Sequence, residues 1–240
     1  MSHLRDGSTT KDPRLDRLVQ FDQRSYGYCI SEAAPAKIVT KEWACCQWLD
    51  QGKEGACVGF GITHEAIATP VAVKGLDAKF ARERIYWEAQ RNDGMPGGSY
   101  PHAFPRYEGT SVLAGLKAYK ATGLIDGYAW AFGLNQVLRG LSLGPCVLGV
   151  AWLDGMRKTD AAGLIHATGA QLGGHCILAT GVYTKDETVR LHNSWGKTWG
   201  IGGDCLITWG DLGKLLDMQG EAAFVTGRHL KPKASHSKGE

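Results

Sequence analysis

Three side chains far apart in the chain could together cut an amide: the thiol of Cys57, the imidazole of His175 and the carboxamide of Asn193. A thiol attacks a carbonyl only as thiolate, so it needs a base nearby, and the tetrahedral intermediate needs donors aimed at its new oxyanion. Gln51, six residues before the thiol in Gln51-Gly52-Lys53-Glu54-Gly55-Ala56-Cys57, brings one such donor, and the Cys57 backbone N–H brings another. An asparagine set against the imidazole would fix its tautomer and direction, the part a carboxylate plays in serine triads. Trp195, two residues past Asn193, would shield that hydrogen bond from water.

The elements that must position these groups follow from the apolar spacing. Ala56-Cys57 opens a helical run through Phe60, Ile62, Ala66 and Ile67 that stops at Thr69-Pro70, because proline disfavours helix in the residue before it. Cys57 at a helix start would feel unpaired N–H groups and the positive dipole end, which lowers a thiol pKa. Helical spacing recurs from Leu76 to Gln90, from Thr110-Ser111 to Gly123, and from Asn135 to Leu141. Past Gly144-Pro145 the runs are short, β-branched and separated by glycines: 145–152, 175–183, 188–195, 203–209 and 221–227 read as strands, with one helix from Asp211 to Met218. A helical half followed by an antiparallel half predicts an α+β fold with a cleft between lobes. Strand alternation sends Cys176 away from the face that bears His175, and His192 away from the face that bears Asn193.

The order Gln51, Cys57, Gly174-His175 and the complete phrase Asn193-Ser194-Trp195-Gly196-Lys197-Thr198-Trp199-Gly200 resemble the papain-like cysteine peptidases. The resemblance spans roughly residues 45–227 and implies a two-lobed fold, a helical lobe at about 45–140 and a β lobe at about 141–227 within one catalytic domain of 18–227. It implies thiol-dependent peptide hydrolysis through an acyl-enzyme, with Cys57, His175, Asn193 and Gln51 catalytic and no cofactor. Tyr107-Glu108-Gly109-Thr110-Ser111 is similar to the segment that pairs with substrate backbone in this family. Gly109 and Thr110, together with Gly174 and Trp195 beside the imidazole and the amide, are therefore expected to line a bound peptide. The family's half-cystine before the nucleophile is Glu54 here, and its tryptophan after it is Val58. These departures motivate two alternatives: an inactive papain-like binding or structural module, or a cell-wall peptide amidase or acyltransferase using the same nucleophile. The compact, disulfide-poor form is similar to bacterial or phage branches. Only about 40 residues precede the Gln51 loop, fewer than a long inhibitory pro-segment, so the activity is expected either to be harmless to its host cell or to be controlled from outside the chain by a separate inhibitor or regulator.

The chain as a whole narrows the partners. Its 240 residues are 43% hydrophobic, ample for a core, and 27 basic against 24 acidic residues leave no general phosphate-binding surface, so no nucleic-acid partner is expected. No apolar window has the length of a membrane span, and Met1 to Asp16 has no apolar signal core, so the expectation is a cytoplasmic protein with no membrane partner and a peptide or protein substrate. Seven cysteines cannot all pair, and most of them read as reduced thiols, with the pairing of Cys29, Cys45 and Cys46 left open. Cys45, Cys46, Cys57 and His64 cluster in sequence without zinc-ligand spacing, so no metal is expected. His64 lies about 10 Å along the helix from Cys57, too far to take its proton. His166 reads as a solvated loop histidine. Residues 1–17 and 228–240, polar and broken by glycine or proline, are expected to be flexible.

Overall fold

The structure is a computed structural model and describes residues 1–20, 22–30 and 35–233. Helices α1 (Cys57–Ile67), α2 (Trp87–Asn92, continuing a π-helical stretch Phe80–Tyr86), α3 (Val112–Ala121), α4 (Leu134–Gly140) and α5 (Trp209–Asp217) fall where the apolar spacing places them. Ser111 caps α3 by accepting from the Ala114 N–H, and Thr208 caps α5 by accepting from the Asp211 N–H. The strands are β1 (Ser2–His3), β2 (Thr9–Thr10), β3 (Arg17–Leu18), β4 (Lys41–Glu42), β5 (Thr110–Ser111), β6 (Ile125–Trp130), β7 (Cys146–Leu153), β8 (Gln171–Tyr183), β9 (Thr188–His192), β10 (Asp204–Thr208) and β11 (Glu221–Arg228).

Among the described residues one antiparallel sheet runs β10-β9-β8-β7-β11-β6, with β4 paired to β8. β7 is buried along its whole length, since one face packs on α1 and α3 and the other closes a second core. Apolar runs without alternation, such as Cys146-Val147-Leu148, are what a strand covered on both faces requires. The first core holds Val58, Ile62, Val112, Leu116, Val147 and Cys176; the second holds Trp152, Ile165, Ile177, Leu191, Trp195 and Leu212. Gly59 lets α1 approach the π-helical stretch, where a Cβ would lie 2.3 Å from the Ala81 carbonyl oxygen.

Two expectations are corrected. The helical half does not run unbroken to residue 140: β6 lies within it and joins the sheet at its edge through β11, pairing Ala223 with Trp130 and Thr226 with Gly127. The N-terminal residues are not loose. Leu4, Arg5, Leu15, Asp16, Arg17 and Leu18 are buried, and β3 pairs in parallel with β5 through Arg17–Thr110 and Leu18–Ser111. The Arg5 guanidinium donates to the Gln90 carbonyl at 2.8 Å and pairs with Asp93, so backbone and ion-pair bonds replace the side-chain periodicity that would have announced an element. At the other end His229 and Lys233 donate their N–H groups to the Leu124 and Gly123 carbonyls at 2.8 and 3.0 Å; residues 234–240 of the expected tail lie outside the described residues.

Candidate active site

Cys57 is the first residue of α1, and His175 stands in β8 directly before Cys176, whose backbone N–H donates to the Cys57 sulfur at 3.3 Å. The alternation of β8 is as expected. The His175 ring packs 4.8 Å from both Trp152 and Trp195 on one face, while the Cys176 sulfur abuts Gly61 of α1 on the other. Asn193 follows β9, and its Oδ1 accepts from the Ser194 N–H at 2.8 Å and from His175 Nε2 at 2.8 Å. An oxygen that accepts from a backbone N–H fixes the amide's orientation, so Nε2 carries the ring proton and the Nδ1 lone pair is free. Nδ1 is buried with no well-formed hydrogen bond, and burial pushes the ring pKa down to about 4 against the opposing Asn193 bond and a weaker contact with the Arg14 backbone of the chain's N-terminal segment. A neutral imidazole with a free nitrogen is a base in waiting.

The Gln51 amide is held from both ends. Its backbone N–H donates to the Ser194 carbonyl at 2.9 Å, its Oε1 accepts from Ser194 Oγ at 2.7 Å, and its Nε2 donates to the Glu54 carbonyl at 2.8 Å. The same Nε2 lies 3.4 Å from the Arg14 carbonyl oxygen. Glu54, where the resemblance has a half-cystine, makes an ion pair with Arg82 at 2.5 Å, and Val58 packs into the first core against Gly115. Both departures have structural occupations of their own.

What the sequence did not announce is the strap, residues 12–18, lying across these groups. Asp16 bridges in parallel to Gly174, and Arg17–Leu18 to Thr110–Ser111, so one extended segment touches both walls of the cleft. The Arg14 guanidinium sits 4.2 Å over the Trp195 ring. At Gly109, with φ +96°, a Cβ would come 2.7 Å from the Asp16 carbonyl oxygen; at Gly174 it would come 2.1 Å from that of Arg17. Each position expected to line a bound peptide, Gly109, Thr110, Gly174 and Trp195, thus touches the strap. Leu15 is buried in the second core, over Gly173.

The Asp16 carboxyl enters the site itself. The Cys57 thiol donates to Asp16 Oδ1 at 3.2 Å, and the Tyr86 hydroxyl lies 3.4 Å from Oδ2. Burial pushes the Asp16 pKa well up, and Glu108 and Glu54 add to the shift. Burial likewise pushes the Cys57 thiol well up, and Asp16 and Cys176 reinforce it. The lowered thiol pKa expected from the helix start is therefore overruled here, because a sealed site with a carboxyl beside sulfur outweighs a helix dipole. The Cys57 sulfur thus lies against the backbone N–H of the residue that follows His175, and the strap holds the thiol.

The other cysteines and histidines lie elsewhere. Cys45, Cys46, Cys57, Cys146, Cys176 and Cys205 are free thiols, and no group of three or more His, Cys, Asp or Glu among the described residues could hold a metal ion. His166 is exposed and meets Asp160 at 2.9 Å. No helix among the described residues is long and apolar enough to cross a membrane.

No family model and no curated protein matches the chain. Solved structures do. Xylellain, a cysteine protease from Xylella fastidiosa, superposes with a TM-score of 0.68 at 14% identity, covering 92% of this chain and 99% of that one. Procathepsin L2 from the larval midgut of Tenebrio molitor gives 0.53 at 14% identity, covering 91% and 81%. Bromelain from Ananas comosus gives 0.51 at 15% identity, covering 77% and 95%. At these identities the likeness is one of architecture, and with α1 and α3 packed on one face of the antiparallel sheet and α4 and α5 on the other, the chain has the papain-like fold of the cysteine proteases.

Proposed function

We propose that the chain is a thiol peptidase whose cleft is closed by its own strap. The observation that carries the reading is a segment of the chain, a turn at 12–15 followed by extended residues 16–18, lying along Gly109, Thr110, Gly174 and Trp195, with Gln51 and Cys57 beside it. A groove that binds this peptide by its backbone accepts another. Once the strap lifts, the Cys57 thiol passes its proton to His175 Nδ1 and the sulfur attacks the scissile carbonyl carbon. The Gln51 amide and the Cys57 backbone N–H donate to the oxyanion. The C–N bond breaks as Nδ1–H protonates the leaving amine, and water, deprotonated by the same nitrogen, hydrolyses the thioester to acid and free thiol. Asn193 keeps the ring's other proton on Nε2 throughout. An amine in place of that water would give transfer, and product analysis with and without added amine separates the two.

The test uses the full chain with Leu15→Ala, which removes the strap's buried anchor. Iodoacetamide is expected to label Cys57 ahead of the other thiols, the chain to cleave an unfolded protein such as casein, and Cys57→Ala to abolish that cleavage. Cleavage that survives Cys57→Ala, or no cleavage by the loosened chain, sinks the reading.

A further inference from the structure

The loop that carries Gln51 has little regular structure of its own, yet three consecutive residues just before it are each gripped by a side chain from another element. The Leu49 N–H donates to His64 Nε2 at 3.0 Å. The Gln47 carbonyl accepts from His192 Nε2 at 2.9 Å, and the Trp48 indole N–H donates to Asp204 Oδ1 at 3.2 Å. Asp204 also meets His192 Nδ1 at 2.7 Å, and the two imidazoles touch edge to face with centroids 4.5 Å apart. His64 comes from α1, which starts with Cys57; His192 ends β9 and directly precedes Asn193.

His64 is fully buried, and its Nδ1 has no partner. An orphaned ring nitrogen costs stability, and an apolar residue would fill the same space without it. What the imidazole gives in return is one acceptor for a backbone N–H two residues before Gln51. We infer that His64 and His192 are positioning residues which, with Asp204, hold the 47–51 loop so that the Gln51 amide meets the oxyanion. This rests on the peptidase reading, in which Gln51 is an oxyanion donor. The clamp ties that donor to the two elements that bear the nucleophile and the ring's orienter, so the three move as one body. It grips the residues before Gln51 and the Glu54–Arg82 pair grips one after it, in a loop that has no disulfide.

The test compares His64→Leu with His64→Gln in the full chain carrying Leu15→Ala. Leucine fills the space without an acceptor; the glutamine Oε1 reaches where Nε2 was. With His64→Leu, kcat is expected to fall by at least about tenfold with KM little changed, the signature of a donor displaced by a fraction of an ångström. Alkylation of Cys57 by iodoacetamide needs no oxyanion donor, so its rate is expected to stay the same. His64→Gln is expected to restore most of the turnover. In a Gln51→Ala background His64→Leu is expected to add little, because it acts through an amide already gone. If His64→Leu does not fold, His192→Leu against His192→Gln makes the same comparison from the Gln47 side. Unchanged kcat in the leucine variant, equal losses in leucine and glutamine variants, or full additivity with Gln51→Ala would each overturn the inference while leaving the peptidase reading intact. Absence of turnover in the Leu15→Ala reference overturns both.

Discussion

A carboxyl placed against a thiol in a sealed site makes the closed state a proton-binding state. Asp16 is faced by the Cys57 thiol and the Tyr86 hydroxyl, with Glu108 and Glu54 beyond them, and its pKa is raised by burial first and by those two carboxylates after it. Released into water, the same carboxyl returns to about 3.9. The sign follows from linkage. A group with a raised pKa in the closed state favours closure fully below its free value, and that support is lost as pH rises above it. The strap is therefore expected to loosen as pH rises from about 4 toward neutrality. Asp16→Asn keeps a neutral planar group in place and removes the titration. Dividing the iodoacetamide labelling rate of Cys57 in the unaltered chain by that in Asp16→Asn cancels the thiol's own ionisation once open. The ratio is expected to climb with pH across that range, and a flat ratio would show that Asp16 takes no proton on closing. The residue scale is also where sequence was most legible. Strand parity alone separated His175 from Cys176 and Asn193 from His192, because alternation depends on nothing but the pleat. The thiol's raised pKa was not legible, since it comes first from burial in the folded chain and then from a carboxyl 41 residues upstream.

At the scale of elements the strap behaves as a removable strand. Its bonds to Thr110, Ser111 and Gly174 are backbone bonds that a substrate could replace, so Leu15 is the anchor particular to it. Truncating a fully buried leucine costs about 2–5 kcal/mol. Because the strap can lift without the sheet coming apart, that loss falls on the closed–open equilibrium rather than on the whole fold. Leu15→Ala is expected to speed Cys57 labelling by roughly thirtyfold or more, the factor that about 2 kcal/mol commands, while the main melting transition moves little. A loss of melting temperature with no gain in labelling would show that the strap belongs to the core and does not open. The same physics explains why the strap escaped the sequence reading. Leu4, Leu15 and Leu18 follow neither helical nor strand periodicity, since the segment is held by two-residue pairings and by Arg5 and Asp93, and polar composition suggested a loose end. β6 escaped for a related reason: Ile125-Asp126-Gly127-Tyr128-Ala129-Trp130 is short, holds a glycine, and becomes a strand only because β11 lies beside it.

The two cores meet along the sheet, and α1 is fastened to that sheet by a mostly buried ion pair. Arg228, at the end of β11, donates through Nε to Glu65 Oε1 of α1 at 2.8 Å, with the Glu65 side chain wholly inaccessible and that of Arg228 14% exposed. The helix that starts with Cys57 is thereby bound to the sheet that carries His175, so the relative placement of these two residues depends on it. Burial raises the Glu65 pKa even with the guanidinium opposing it. Arg228→Met would leave the carboxyl buried without its cation, a loss of about 3–5 kcal/mol. For a chain of this length that corresponds to a fall of roughly 10 °C in melting temperature near neutral pH. The deficit has a direction in pH. Without the arginine, Glu65 must fold protonated, so below its free value of about 4.3 folding takes up no extra proton, and the penalty grows as pH rises above that. Melting both proteins at about pH 4.5 and about pH 8 is expected to show the gap widening at the higher value. Glu65→Gln added to Arg228→Met is expected to narrow it there, since a neutral amide needs no cation. A gap of equal size at both pH values would mean that Arg228 acts through packing of its aliphatic stem, and that α1 is held to β11 by shape alone.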